Sequence, residues 1–487
     1  MDPSNCNEDA DGIPRKADHL CVLIHGFWGN PSHMDHLAAS LRQRYSEDRL
    51  HVLVTERNIG NLTYDGTEVG GERVAHEIEE TLSTLADKGY PIRKLSIVGY
   101  SFGGLLARYA IGLLDARGWF DRLEPVNFTT FASPHVGVRI PRKGVWGYIW
   151  NNVGPRQGSI SAQQLFLVDS FGDSGRPLLS ILADPDSIFV RALAKFKNRS
   201  LYGNVVNDRT TIFYTTMLSM VDPFRDLGDA QVNYVKGYEP VVIDPDMYLL
   251  PSAELKETLP LGSRVWGQTT RFFTTALFWA FVVLFLSIVL PLFFLHSISQ
   301  WSHSRERVRL HEEGESATFF RQYRLPHVMV KEMQSAIEEA YEDVGFSQDP
   351  EYLSTTSESS PADSIRRRNS PGLKAKEAAE HKPSSSSSIT IQEASPPTPE
   401  HDQPNSAREA TTDDAISKKS RAYPTLSLTP AQIAIIESLN AVGFRKYPVY
   451  IHNHRHSHAA IIVRAAKPGF GEGKIVIKHW LDTEFQI

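Results

Sequence analysis

The chain has 487 residues, 41% of them hydrophobic, with 51 Lys and Arg against 57 Asp and Glu for a net charge of −6. That length and apolar content support one large folded domain or two to three smaller ones. Mild acidity without a long basic stripe excludes nucleic acid as a partner. Two cysteines, Cys6 in a polar stretch and Cys21 in an apolar run, exclude a disulfide framework and fit a reducing compartment.

Residues 1–17 read as a disordered polar tail with no apolar core of a secretory signal. Asp2 is not the glycine that myristoylation needs, and the C-terminus is no prenylation box. From 18 to about 245, short β-branched runs alternate with helical periods. The expected strands are Leu20 to Ile24, His51 to Thr55, Leu95 to Val98, Val126 to Phe131 and Ser200 to Val206. Glu72 to Ala86 reads as a helix between them. Strands alternating with helices predict an α/β fold with a mostly parallel sheet covered on both faces.

The loop His25-Gly26-Phe27-Trp28-Gly29 follows the first strand. The pentapeptide Gly99-Tyr100-Ser101-Phe102-Gly103 follows the third and runs into a helix-like stretch from Gly104. Strand, sharp turn and helix are the context in which G-x-S-x-G marks a nucleophile elbow, with small flanking residues clearing the tight backbone. Ser101 is therefore the candidate nucleophile. The amides of Phe27 and Phe102 are the candidate oxyanion donors, with Trp28 as a substitute for the first.

A serine hydroxyl needs a base, itself oriented by a carboxylate. In the α/β-hydrolase chain order the acid follows the serine and the histidine comes last. Asp208 is expected to close the strand running from Tyr202, at the carboxyl edge where such sheets place their sites. Its competitors are Asp184, Asp186, Asp222 and Asp226, in less strand-like surroundings. No histidine occurs between His135 and His296, so the base must come from far downstream. His458, where the run His452-Asn453-His454-Arg455-His456-Ser457-His458 gives way to apolar sequence, is the candidate base, with His456 next. Histidines at alternate positions also suit one face of a zinc-binding strand. No second ligand cluster accompanies them, and neither metal nor cofactor is expected. His135 has the wrong place in the chain order and is expected to pack beneath the site.

Residues 246–344 read as an insertion containing 24 consecutive uncharged positions, 272–295, long enough at 1.5 Å per residue to match a hydrocarbon core. Residues 345–422, crowded with Ser, Pro, Glu, Asp and Lys, read as a disordered linker. Within it, Arg366-Arg367-Arg368-Asn369-Ser370 fits a basophilic kinase site, making a kinase an expected partner at Ser370. Order returns in 423–487. Thr429 and Pro430 form an N-cap and first helical position, Ala431 to Val442 a helix, and Gly443 its stop. His458 to Val463 and Lys474 to Ile477 are expected to complete the sheet.

On these motifs the chain resembles the fungal putative serine esterases, a family that includes lipid-droplet phospholipases and monoacylglycerol lipases. The resemblance rests on His25-Gly26, Tyr64-Asp65-Gly66 with Gly70-Gly71-Glu72-Arg73, the elbow, Ser133-Pro134-His135, Asn207-Asp208-Arg209-Thr210 and His458-Ala459-Ala460-Ile461. It covers about 18–240 and 423–487. It implies an α/β-hydrolase fold, acyl-ester hydrolysis on glycerolipids, and a triad that falls here on Ser101, Asp208 and His458. Thr211-Ile212 departs from the Val-Pro expected after the acid, a change expected to alter only packing. No role follows for Gly70-Gly71-Glu72-Arg73 beyond a helix start with an internal ion pair.

Ser101 and Asp208 precede the apolar run and His458 follows it, so a single membrane crossing would part the nucleophile from its base. A re-entrant hairpin, an interfacial or lid segment, or a base from another molecule remain. Arg264 and Arg271 before the run, and Arg305, Arg307 and Arg309 after it, favour both ends on the cytosolic side. The expectation is a lipase of phospholipid or acylglycerol esters at a cytosol-facing membrane or lipid-droplet surface. The alternatives are an acyltransferase or thioesterase with the same triad, or a non-catalytic membrane adaptor.

Overall fold

A computed structural model describes residues 16–139, 149–156, 158–224, 231–250, 299, 302–310, 426 and 428–487. Cys6, Asp226, the apolar run 272–295, the 345–422 stretch and Ser370 lie outside the described residues.

Six strands form one sheet: β1 (His19–Ile24), β2 (Leu50–Val54), β3 (Lys94–Tyr100), β4 (Glu124–Phe131), β5 (Asn198–Asn204) and β6 (Arg445–Val449). Their order is β2-β1-β3-β4-β5-β6, with every neighbouring pair parallel. This is an α/β-hydrolase fold with a fully parallel core sheet. Both faces are covered, as an all-parallel sheet requires.

Side chains alternate across the sheet. Leu20, Val22 and Ile24 of β1 point to one core, formed with α2 (Gly66–Asp87), α3 (Gly103–Ala116), α4 (Ile188–Ala194) and α5 (Pro430–Val442). Cys21 and Leu23 point to the other, formed with α1 (Asp35–Arg44), the stretch Ala459 to Val463, and α6 (Gly473–His479) with the turn after it. Burial alone pushes the Cys21 thiol up, so it packs as an inert hydrophobe.

Helix α2 starts six residues earlier than its sequence pattern suggests. Its buried Val74, Ala75, Ile78, Leu82 and Leu85 recur at the three-to-four spacing of one helix face. A Cβ on Gly71 would lie 2.7 Å from the Tyr109 ring, so the missing side chain lets α2 approach α3. Two residues on, Arg73 Nη2 donates to Asp65 Oδ2 at 2.6 Å. Helix packing and an ion pair thus account for Gly70-Gly71-Glu72-Arg73. The same carboxylate takes Arg307 Nη2 at 2.6 Å and Ser304 Oγ at 2.8 Å from the helical segment 302–310. Asp65 and both arginines are buried.

The C-terminal part differs from expectation. Helix α5 follows its caps: Thr429 and Gln432 complete a capping box, and Gly443 takes φ +83°. The two apolar runs expected as strands are instead helical, as Ser457–Ala460 and as part of α6. Ala459 to Ile462 and Val476 to Ile477 are buried, and a short apolar run carries no periodicity to separate strand from helix. The sixth strand is Arg445-Lys446-Tyr447-Pro448-Val449, whose proline suits an edge position.

Trp480, wholly buried after α6, donates from Nε1 to Thr129 Oγ1 at 3.1 Å. Gln486 lies against Asn127, whose Nδ2 donates to Gln486 O at 2.6 Å and whose Oδ1 accepts from Gln486 N at 3.1 Å. Among the described residues no helix is long and apolar enough to cross a membrane.

Candidate active site

The site lies at the carboxyl ends of β1, β3, β4 and β5. Ser101 follows β3 directly with φ +53°, a left-handed backbone that a non-glycine residue adopts only under constraint. Its amide donates to Phe131 O at 2.9 Å, which pins the turn to the end of β4. Gly103 lets α3 begin hard against β1, since a Cβ there would sit 2.3 Å from Ile24 O. The elbow thus holds Ser101 at the first turn of α3, where a helix dipole favours negative charge.

The three residues chosen from the sequence come together. Ser101 Oγ lies 2.9 Å from His458 Nε2, and His458 Nδ1 lies 3.0 Å from Asp208 Oδ2. All three are at most 6% exposed. The hydroxyl donates to Nε2 and Nδ1–H donates to the carboxylate. Tyr100 reinforces the base, its hydroxyl donating to His458 O at 3.1 Å and its ring lying 5.2 Å from the imidazole.

Strand β5 ends at Asn204, so Asp208 sits on the loop beyond it rather than closing the strand. The loop is an Asx-type turn: Asp208 Oδ1 accepts from Thr210 N at 3.1 Å and Thr211 N at 2.8 Å. Asn204 Nδ2 donates to Oδ2 at 2.9 Å. Burial pushes the carboxyl up. The His458 ring and these hydrogen bonds outweigh that and hold it below its ordinary value of 3.8.

Thr211 does more than pack. Its hydroxyl lies 3.1 Å from both Asp208 Oδ2 and His458 Nδ1, and 3.0 Å from Ala132 O. The expectation of a packing change alone is therefore corrected. The Asp-x-x-Thr spacing is legible as a turn, but the contacts to β4 and to a histidine 247 residues away are tertiary.

The competing residues are engaged elsewhere. Asp184 Oδ2 takes Arg176 Nη1 at 2.7 Å, and Asp222 Oδ1 takes Phe224 N at 2.9 Å. The His456 ring lies tilted against that of His454 at 5.0 Å, whereas it is His458 Nε2 that meets Ser101 Oγ. His452 Nδ1 faces Glu472 Oε1 at 3.3 Å. His135 is buried below the site, bonded through Nε2 to Thr130 Oγ1 at 2.9 Å. No group of metal-ligating side chains occurs among the described residues.

The Trp28 amide is committed to Thr63 Oγ1 at 3.1 Å, which removes it as the substitute oxyanion donor. The Phe27 and Phe102 amides have no acceptor among the described residues. Phe27, Trp28, Tyr64 and Phe102 form an aromatic wall beside them, with ring separations of 5.2 to 6.1 Å.

Comparison with known proteins gives a consistent assignment. Residues 14–220 match the family model described as "Putative serine esterase (DUF676)". The "Putative lipase YDL109C" of Saccharomyces cerevisiae is 31% identical over 221 residues, covering 43% of this chain and 32% of that protein. The "Putative lipase ROG1" of the same yeast is 32% identical over 216 residues, covering 43% and 30%. The "Putative lipase C4A8.10" of Schizosaccharomyces pombe is 28% identical, covering 42% and 26%. The matched stretch thus spans about a third or less of these relatives. Among solved structures, the rice cell wall degrading esterase LipA from Xanthomonas oryzae aligns over 45% of this chain and 73% of its own at 14% identity. Its TM-score of 0.25 is too low to bear on function.

Proposed function

Residues 14–220 belong to the putative serine esterase family, and from that premise we propose that this protein hydrolyses acyl esters of phospholipids or acylglycerols at a lipid surface. The observation that carries the reading is the continuous hydrogen-bonded line from Ser101 Oγ through His458 to Asp208.

In the proposed reaction Ser101 Oγ attacks the acyl carbonyl as His458 Nε2 takes its proton. The carboxylate of Asp208 holds the ring in the tautomer with Nδ1 protonated and stabilises the imidazolium. Phe27 and Phe102 amides donate to the oxyanion. Collapse passes the proton from Nε2 to the leaving alkoxide and leaves the acyl group on Ser101. Water, deprotonated by the same nitrogen, then attacks the acyl-enzyme, and release of the fatty acid restores Ser101. The aromatic wall beside the donors suits an acyl chain. The uncharged run 272–295 and the arginines flanking it support action at a cytosol-facing membrane or lipid droplet, and the names of the yeast relatives support a lipid substrate.

The test is hydrolysis of a short-chain p-nitrophenyl ester and of a phospholipid and acylglycerol panel, with fluorophosphonate labelling alongside. Wild type should turn over and label. Ser101→Ala should lose label and fall by on the order of 10⁵-fold or more. Equal rates for the two proteins would overturn the mechanism.

A further inference from the structure

Thr211 stands where the acid, the base and the end of β4 meet, and its place in the hydrogen-bond count is specific. The Asp208 carboxylate has about four lone-pair sites. Four donors other than Thr211 Oγ1 already point at them: His458 Nδ1–H and Asn204 Nδ2 at Oδ2, and the Thr210 and Thr211 amides at Oδ1. The hydroxyl has one hydrogen to give. Its shorter acceptor distance is to Ala132 O, 3.0 Å away.

With that hydrogen on Ala132, the lone pairs of Oγ1 face His458 Nδ1 at 3.1 Å. Nδ1, Asp208 Oδ2 and Thr211 Oγ1 form a near-equilateral triangle with sides of 3.0, 3.1 and 3.1 Å. Thr211 is 1% exposed, so the position is shielded from bulk solvent. We propose that Thr211 is a positioning residue for the catalytic imidazole, accepting a second branch of the Nδ1–H hydrogen bond and so stabilising the imidazolium together with Asp208. Nothing is transferred to or from Thr211, and its own proton stays on Oγ1, directed at Ala132 O. Asp208 faces the ring at Nδ1, Tyr100 lies across its face, and Ser101 stands at Nε2.

The inference rests on the acyl-transfer reading, so its test is kept independent of turnover. The His458 imidazole is titrated by NMR in the full chain labelled at histidine Cε1, its signal assigned with His458→Gln. Thr211→Val keeps the shape and removes the hydroxyl. Loss of one branch of a hydrogen bond to a charged group is worth roughly tenfold. The imidazole midpoint should therefore fall by about one pH unit, and Thr211→Ser should restore it. If the enzyme turns over ester, kcat falls about tenfold with KM unchanged within about twofold, and the acid limb of the pH profile moves down with the NMR midpoint. If the valine variant does not fold, Thr211→Cys, whose γ atom is a weak acceptor, should show the same downward direction. An unmoved midpoint would mean a purely structural role. An upward shift would mean that the hydroxyl donates to Asp208 instead. Either result, or failure of serine to restore the midpoint, overturns the proposal.

Discussion

Asp208 is an acceptor that the fold has surrounded with donors, and this makes its replacement by asparagine unusually predictable. Two of those donors are backbone amides of Thr210 and Thr211, fixed by the turn. An asparagine must present its carbonyl to them, which turns its NH₂ toward His458 Nδ1. The imidazole then answers with the other tautomer, protonated at Nε2, and can no longer receive the Ser101 proton. Asp208→Asn should fold, retain substrate binding and lose about 10⁴-fold in kcat, read in the p-nitrophenyl ester assay. A loss in KM instead would point to a binding role. At this scale the sequence was informative where residues are neighbours in the chain, as at the elbow. It was silent where they are not. The amide of Trp28, free in the sequence, is taken by Thr63, and Thr211 gains its meaning only from β4 and His458.

Single elements were legible in proportion to their local chemistry. Helix α5 carries its own start and stop signals in Thr429, Pro430, Gln432 and Gly443, and forms over the expected residues. The runs at Ser457–Ala460 and in α6 carry only hydrophobicity and were misassigned as strands, while β6, with two cations and a proline, carries no strand pattern to be read. The segment 302–310 is held to the fold by charge. Asp65 is the shared partner of two buried guanidinium groups, Arg73 and Arg307, with Glu72 adding a second negative charge near Arg73. Removing one arginine leaves Asp65 paired with the other; removing the carboxylate takes the shared ion-pair partner from two buried cations. Arg307→Ala should therefore cost about 1.5–3 kcal/mol, the worth of hydrogen bonds to a charged group. Asp65→Asn should cost about 3–5 kcal/mol. Urea unfolding of the two variants checks the order, and equal costs would contradict the account. Thr63, two residues before Asp65, holds the Trp28 amide, so this cluster also steadies the loop that carries the Phe27 donor.

For the molecule as a whole, burial sets the response to acid. His19, His25 and His479 are each brought down to about 4, in every case chiefly by burial. His135 lies well below its ordinary value through burial and then the neighbouring Arg108. Between pH 6.5 and about 4 these rings are neutral when folded and protonated when unfolded. The unfolded chain binds more protons, so their contribution is complete above 6.5 and is lost as the pH falls. Glu77, pushed up to about 7 by burial, works in the opposite sense and offsets about one of them. The four buried rings outweigh that one carboxylate, so stability falls as the pH drops through this range. Urea midpoints at pH 7, 6 and 5 should fall steadily, and a flat series would show that these rings are hydrated. The parallel sheet and the serine's surroundings were readable from strand–helix alternation and one pentapeptide. The depth of these histidines was not, because each is buried by elements distant in the chain.

The bond between Ser101 and His458 joins residues 357 apart, and this has a consequence for biosynthesis. A ribosome makes the nucleophile, the oxyanion loop and the acid first, then the apolar run, and the base last. Through most of translation the growing chain therefore carries an elbow with no partner and a sheet that stops at β5. Until His458 emerges, the hydrogen-bonded line that runs from Ser101 to Asp208 cannot close. The triad geometry is thus completed only when the last strand and the helices after it have been made.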